Sequence, residues 1–116
     1  MHIPHTHNSK TTTIADCLPP IETINTVSNA FNHLGDPSRL RIFWLLCHTE
    51  ECVSDIAAIT EMTSPAVSHH LRILKGAGLI VSRREGKEML YKAADSALSQ
   101  ELHHIIEDIA EISCPG

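Results

Sequence analysis

Ser64-Pro65-Ala66-Val67-Ser68-His69-His70-Leu71-Arg72-Ile73-Leu74-Lys75 is the stretch that decides the reading of this chain. Ser64 is a favourable N-cap, and Pro65 fits the first helical turn, where its missing N–H costs nothing. Val67, Leu71 and Leu74 recur at helical spacing and predict one buried stripe. Ser68, His69 and Arg72 project elsewhere, and Lys75 makes the last turn basic. Hydroxyl, imidazole and guanidinium groups are those that meet phosphates and base edges in a major groove. The segment therefore reads as a DNA-recognition helix. Its candidate contacts are Ser64, Ser68, His69, His70, Arg72 and Lys75, with His69 and His70 either touching DNA or capping the packing.

The neighbouring residues supply the rest of a DNA-binding unit. Upstream, Val53, Ile56, Ala57 and Ile59 predict a short helix, and Glu61-Met62-Thr63 a tight turn, which together make a helix-turn-helix. Downstream, Gly76 and Gly78 close the recognition helix. Leu79-Ile80-Val81 and Met89-Leu90-Tyr91 are β-prone runs around Arg83-Arg84-Glu85-Gly86-Lys87, so a hairpin with a basic tip follows. Arg83, Arg84 and Lys87 on such a wing point to phosphate contact.

Towards the N-terminus a helix is predicted from about Ile21 to Leu34, ended by Gly35, and Asp36-Pro37 then caps and starts the next. A last helix from Asp95 puts Leu98, Leu102, Ile105, Ile109 and Ile112 on one stripe. That is too much apolar surface to leave exposed, and it predicts half of a dimer interface. Residues 1–20, with three His, a Thr run, Cys17 and Pro19-Pro20, show no lasting period and read as a flexible arm. Residues 21–112 form the winged domain, and 113–116 a tail. The fold class is mainly α with a small β-hairpin: a homodimeric winged helix-turn-helix.

Composition agrees with one domain and sets limits on function. The chain has 116 residues, 42% of them hydrophobic, with one Trp, one Tyr and two Phe, so the core is aliphatic. A net charge of −5 speaks only weakly against DNA, because Arg72, Lys75, Arg83, Arg84, Lys87 and Lys92 crowd one stretch while Glu101, Glu107, Asp108 and Glu111 load the C-terminus. Charges beyond a Debye length of about 8 Å are largely screened. No apolar run approaches a membrane span and no secretory signal opens the chain, which predicts a cytoplasmic protein whose four Cys are thiols, redox groups or metal ligands. No Gly-rich phosphate loop, nucleophile elbow or His-Glu-x-x-His pattern is present, so neither an enzyme nor a small-molecule substrate is predicted.

Taken together, Leu34-Gly35-Asp36-Pro37-Ser38-Arg39-Leu40-Arg41-Ile42, Glu51-Cys52-Val53-Ser54-Asp55-Ile56-Ala57, Ser68-His69-His70-Leu71-Arg72-Ile73-Leu74 and the Gly86 wing resemble the ArsR/SmtB family of metal-sensing repressors. The resemblance covers residues 21 to 112. It implies a homodimer that binds a palindromic operator when metal-free and releases it on binding a metal ion, derepressing efflux or sequestration genes.

Two metal-site types follow from the resemblance. One joins the helix before the recognition helix to the N-terminal arm of the other protomer. Cys52 takes the family's first Cys position and Asp55 an accessory position, while the arm offers Cys17, His7 and His5. Ser54 replaces the second thiol of an arsenic-type Cys-x-Cys pattern. The remaining sulfur, nitrogen and oxygen donors suit Zn²⁺, with Cd²⁺ or Pb²⁺ as thiophilic rivals. The other site lies on the dimer helix, where Asp95, Ala97, Asp108 and Glu111 occupy the matching positions. Two His are missing there, and His104, one turn before Asp108, is the substitute. Cys47 reads as core and His103 as an exposed polar position. A thiol-redox switch using Cys17, Cys47 or Cys52, with no metal, stands as the alternative.

Overall fold

The computed structural model describes residues 10–112. The parts up to Ala30 and from Phe31 onward are two compact units. Helix α1 spans Lys10–Cys17 and α2 Ile21–His33. The carbonyl of Pro20 accepts from Thr23 and Ile24 at 3.0 and 3.1 Å, which starts α2 where the sequence places it. Helix α1 departs from the irregular arm predicted over residues 1–20. Its backbone bonds are local, so it needs no hydrophobic period, and Thr13, Ala15, Asp16 and Cys17 are all exposed. His2, His5 and His7 lie outside the described residues, as does the tail from Ser113.

In the second unit, Asp36 caps α3 (Pro37–His48), its Oδ1 accepting the Arg39 backbone N–H at 2.9 Å. That bond holds the Asp36 carboxyl below the usual carboxylate range. Strand β1 (Glu51–Cys52) leads into α4 (Val53–Thr60), and α5 (Ser64–Gly76) follows. Glu61, between these helices, adopts a left-handed φ of 57°, and the Met62 N–H returns to the Ala57 carbonyl at 3.0 Å. The tight turn is thus a left-handed helix cap. Thr63, not Ser64, caps α5: its Oγ1 accepts from the Ala66 N–H at 3.3 Å. Ser64 and Pro65 occupy the first turn, and either hydroxyl would suit the cap by residue type.

Strands β2 (Ile80–Glu85) and β3 (Glu88–Ala93) pair antiparallel from Ile80↔Ala93 to Glu85↔Glu88. The two-residue turn between them is Gly86-Lys87. Gly86 has φ 63° and Lys87 a negative φ, the pattern of a type II′ hairpin turn, whose twist matches the strands. The hairpin gains a third strand that the sequence does not announce. β1 pairs with β3 through Glu51↔Tyr91 and Cys52↔Leu90, giving the order β1-β3-β2. Two residues are too few to show a period.

The core is aliphatic apart from Phe43. Ile42, Phe43 and Leu46 of α3, Ile56 of α4, Val67, Leu71 and Leu74 of α5, Leu79 and Ile80, and Leu102 are each at most 4% exposed. Burial of one such side chain stabilises by roughly 1.5–3 kcal/mol. The last helix, α6, spans Ala97–Ala110, two residues later than predicted, because Ser96 rather than Asp95 caps it through the Ser99 N–H. One of the five residues of its predicted stripe is buried. Leu102 is buried, whereas Leu98, Ile105, Ile109 and the following Ile112 are exposed, Ile109 by 80%. No helix among the described residues is long and apolar enough to cross a membrane.

Candidate nucleic-acid interface and metal-ligating groups

The buried stripe of α5 fixes which of its polar groups face outward. With Val67, Leu71 and Leu74 inside, Ser64, His69, Arg72 and Lys75 are exposed and Ser68 is half-buried. His70 is the exception among the candidate contacts. It is 9% exposed and turned inward, where its Nδ1 accepts from Arg39 Nε at 3.3 Å. Its Nε2 lies 3.9 Å from Asp36 Oδ1. Burial pushes the His70 pKa down, against the opposing pull of the Asp36 carboxylate. Accepting at Nδ1 places the neutral ring's proton on Nε2. Of the two roles open to His70, DNA contact and packing, the geometry provides packing. Position 70 lies three residues after 67 and four before 74, inside the stripe.

On the wing, one of the three predicted cations is also paired within the protein. Arg83 makes a forked pair with Glu50, Nε to Oε2 at 2.9 Å and Nη2 to Oε1 at 2.8 Å, and also reaches Glu85 at 2.9 Å. These bonds raise the Arg83 pKa and lower that of Glu50. Its charge is therefore met by two carboxylates, and the residue ties β2 to the segment before β1. Arg84 and Lys87 remain as exposed cations of the hairpin. Lys75 bridges the elements, donating from Nζ to Ser82 Oγ at 2.7 Å, so α5 and β2 hold each other in place.

The predicted metal ligands are distributed unevenly. Cys52 stands at the N-cap of α4, 6% exposed, with Sγ 3.3 Å from Ser54 Oγ. Asp55 is exposed in the first turn of α4. Cys17 ends α1 and is exposed, a thiol like Cys47 and Cys52, and His7 lies outside the described residues. On the other predicted site, Asp95 precedes α6 and accepts from Gln100 Nε2 at 2.8 Å. His104 and Asp108 are exposed, and Glu111 is the left-handed cap after α6. Asp95, His104, Asp108 and Glu111, all in the second unit, form no three-ligand group among the described residues. The group that does converge, among the described residues, is His48, His103 and Glu107.

His103 is thus not the exposed position the sequence predicts. Its side chain is 16% exposed, beside His48 at 14% and Glu107 at 11%. His103 Nε2 lies 3.0 Å from Glu107 Oε2 and 3.0 Å from His48 Nε2, and the His48–Glu107 separation is 3.3 Å. The i, i+4 spacing of His103 and Glu107 on α6 is visible in the sequence. The arrival of His48 from the end of α3 is not.

Residues 36–82, from the α3 cap through the recognition helix into the wing, match the family described as "Bacterial regulatory protein, arsR family". An HTH-type transcriptional regulator of Methanocaldococcus jannaschii is 35% identical over 81 residues, 69% of this chain and 91% of its own length. The chain belongs to the arsR family. This arsR-family chain is also 38% identical over 81 residues to a transcriptional repressor SmtB homolog of Synechocystis sp., a match covering 70% of this chain and 61% of that protein. A cadmium resistance transcriptional regulatory protein CadC homolog of Staphylococcus aureus is 39% identical over 75 residues, 64% of this chain and 62% of that one. The chain thus spans less than two thirds of the length of these last two relatives. They are named as regulators, not as enzymes.

Among solved structures, a Mycobacterium bovis fragment described as a homodimeric winged helix-turn-helix DNA-binding domain has a TM-score of 0.69 and 26% identity, covering 93% of this chain and 90% of that one. A crystal structure of the corresponding M. bovis fragment gives 0.66 and 30%, covering 77% and 95%. The arsR-family fold and the winged architecture therefore agree with the helix and strand order described above.

Proposed function

We propose that this chain is a metal-responsive transcriptional repressor of the cytoplasm that binds a palindromic operator as an apo homodimer and leaves it on binding metal. The observation that carries the reading is the outward polar face of α5, held by Lys75 to a wing that presents Arg84 and Lys87. Ser64, Ser68, His69, Arg72 and Lys75 supply hydroxyl, imidazole and cationic groups for one major groove, and the wing cations lie against flanking phosphate. The uncovered stripe of α6 and the likeness to a homodimeric domain support pairing of two such heads.

The metal response rests on donor chemistry and on relatives. Cys52, the buried N-cap of α4, and the exposed Asp55 of its first turn put a sulfur and a carboxylate donor three residues apart at the start of that helix. With Cys17 and His7 from the other protomer's arm, residues 1–20, the set is mixed sulfur, nitrogen and oxygen. Zn²⁺ fits it best, Cd²⁺ or Pb²⁺ next, and one relative is named for cadmium resistance. A bound cation supplies a cross-link between protomers. Because α4 joins α5 through only Glu61-Met62-Thr63, a pull on Cys52 and Asp55 displaces one reading head against the other. Asp95, His104, Asp108 and Glu111 form the alternative ligand set on the dimer helix.

Footprinting on the DNA upstream of its own coding sequence tests this reading. Reduced apo protein should protect two half-sites about one helical turn apart, and Zn²⁺ or Cd²⁺ should erase the footprint. Erasure in wild type but not in Cys52→Ser supports the arm site, erasure in both moves the response to the dimer helix, and a footprint indifferent to metal refutes a metal sensor.

A further inference from the structure

We propose that His48, His103 and Glu107 form a Zn²⁺-class cation site inside a single protomer, separate from both ligand sets considered above. Three atoms, His48 Nε2, His103 Nε2 and Glu107 Oε2, lie 3.0, 3.0 and 3.3 Å from one another, so every side of the triangle has hydrogen-bond length. A ring nitrogen carries at most one hydrogen and an ionised carboxylate none. If both rings direct a proton to Glu107, the two N–H groups face each other at 3.0 Å. If one ring donates to the other instead, the accepting nitrogen meets the carboxylate lone pair against lone pair. Two protons cannot satisfy three sides. One cation at the apex satisfies all three.

The dimensions suit that reading. Tetrahedral Zn²⁺ with bonds of ~2.1 Å separates its ligand atoms by ~3.4 Å, so each side opens by only a few tenths of an ångström. Two imidazoles and one carboxylate, with a fourth position open, are a recurrent zinc donor set. His48 and His103 also line a cleft of about 350 Å³, which gives access from solvent and room for a water as the fourth ligand. The ligands are oriented from outside as well. Trp44 Nε1–H donates to Glu107 Oε2 at 3.3 Å, and the Trp44 and His48 rings stand 4.4 Å apart. Hydrogen bonding to a ligating carboxylate is the usual outer support of a metal site.

The site joins the end of α3 to the middle of α6, so an ion there fixes the helix with the uncovered apolar stripe to the helix just before β1 and α4. It stands on geometry alone. Its test uses no DNA, so its failure and that of the repressor reading are separately visible.

Trp44 is the chain's single tryptophan, which makes its emission a local probe. Reduced, metal-free, full-length protein is titrated with Zn²⁺ while Trp44 emission and bound metal per protomer are followed. The emission should change saturably with one equivalent, and Cys17→Ser/Cys52→Ser should keep that change. His103→Gln and Glu107→Gln should each weaken it at least ~100-fold, and Trp44→Phe, followed by bound metal alone, should weaken binding about 10-fold. His48→Gln guards against misfolding of the Glu107 variant, with circular-dichroism melting confirming that each variant is folded. A Trp44 response that persists in folded His103→Gln and His48→Gln, or that vanishes in the double cysteine variant, overturns the site.

Discussion

Neighbouring arginines of the wing should behave differently on DNA. Both side chains are exposed, but Arg83 is engaged by Glu50 and Glu85 at 2.8–2.9 Å while Arg84 next to it makes no ion pair among the described residues. Only a cation that replaces counterions on phosphate contributes to the salt dependence of binding. Arg84→Ala removes two such contacts from a dimer, so the slope of log K against log salt should flatten by about 1.8, at ~0.9 per phosphate. At about 0.15 M salt the same term weakens binding about 30-fold, or ~2 kcal/mol. Arg83→Ala should leave the slope within about 0.5 of wild type, because the lost charge was already neutralised. Fluorescence anisotropy with operator DNA across a series of salt concentrations reads both slopes. Equal flattening by the two variants refutes the assignment of Arg83 to the carboxylates.

The buried His70 predicts a pH effect. Its folded-state pKa is depressed by burial, so below the ordinary imidazole value of about 6.5 the unfolded chain binds the proton more readily and stability declines as pH falls. Denaturant unfolding at pH 7.5 and 5.5 should show a smaller loss in His70→Gln than in wild type, and an equal loss contradicts the reading. Leu71→Ala empties a core position that is 2% exposed and should cost about 2–5 kcal/mol in urea unfolding. A cost below 1 kcal/mol would mean that α5 is not packed as described. Ile109→Glu puts a charge on the most exposed apolar residue of α6 and should turn dimers into monomers in sedimentation equilibrium without lowering helix content. Unchanged dimers would place the interface elsewhere.

The elements that carry their own period or punctuation were legible from the residues. Asp36-Pro37 announced the start of α3, Val67, Leu71 and Leu74 the inward face of α5, and Gly86 the hairpin turn. What escaped depended on distance in sequence. Nothing in Glu51-Cys52 shows that it pairs with Tyr91 and Leu90, since two residues cannot display alternation. Nothing in Arg83 shows that Glu50, 33 positions earlier, holds it. His70 was half legible: its spacing put it on the buried stripe, but its residue type pointed to DNA. The same holds for His103, whose partner Glu107 was one turn away while His48 came from another helix, 55 positions earlier.

The proposed competition of metal and operator through the protein is read from the operator Kd of the reduced dimer with and without saturating Zn²⁺. A rise of at least about tenfold, a coupling of ~1.4 kcal/mol or more, is expected, reversed by chelator. A ratio below about twofold at full metal occupancy would contradict it, even for a protein that binds DNA tightly.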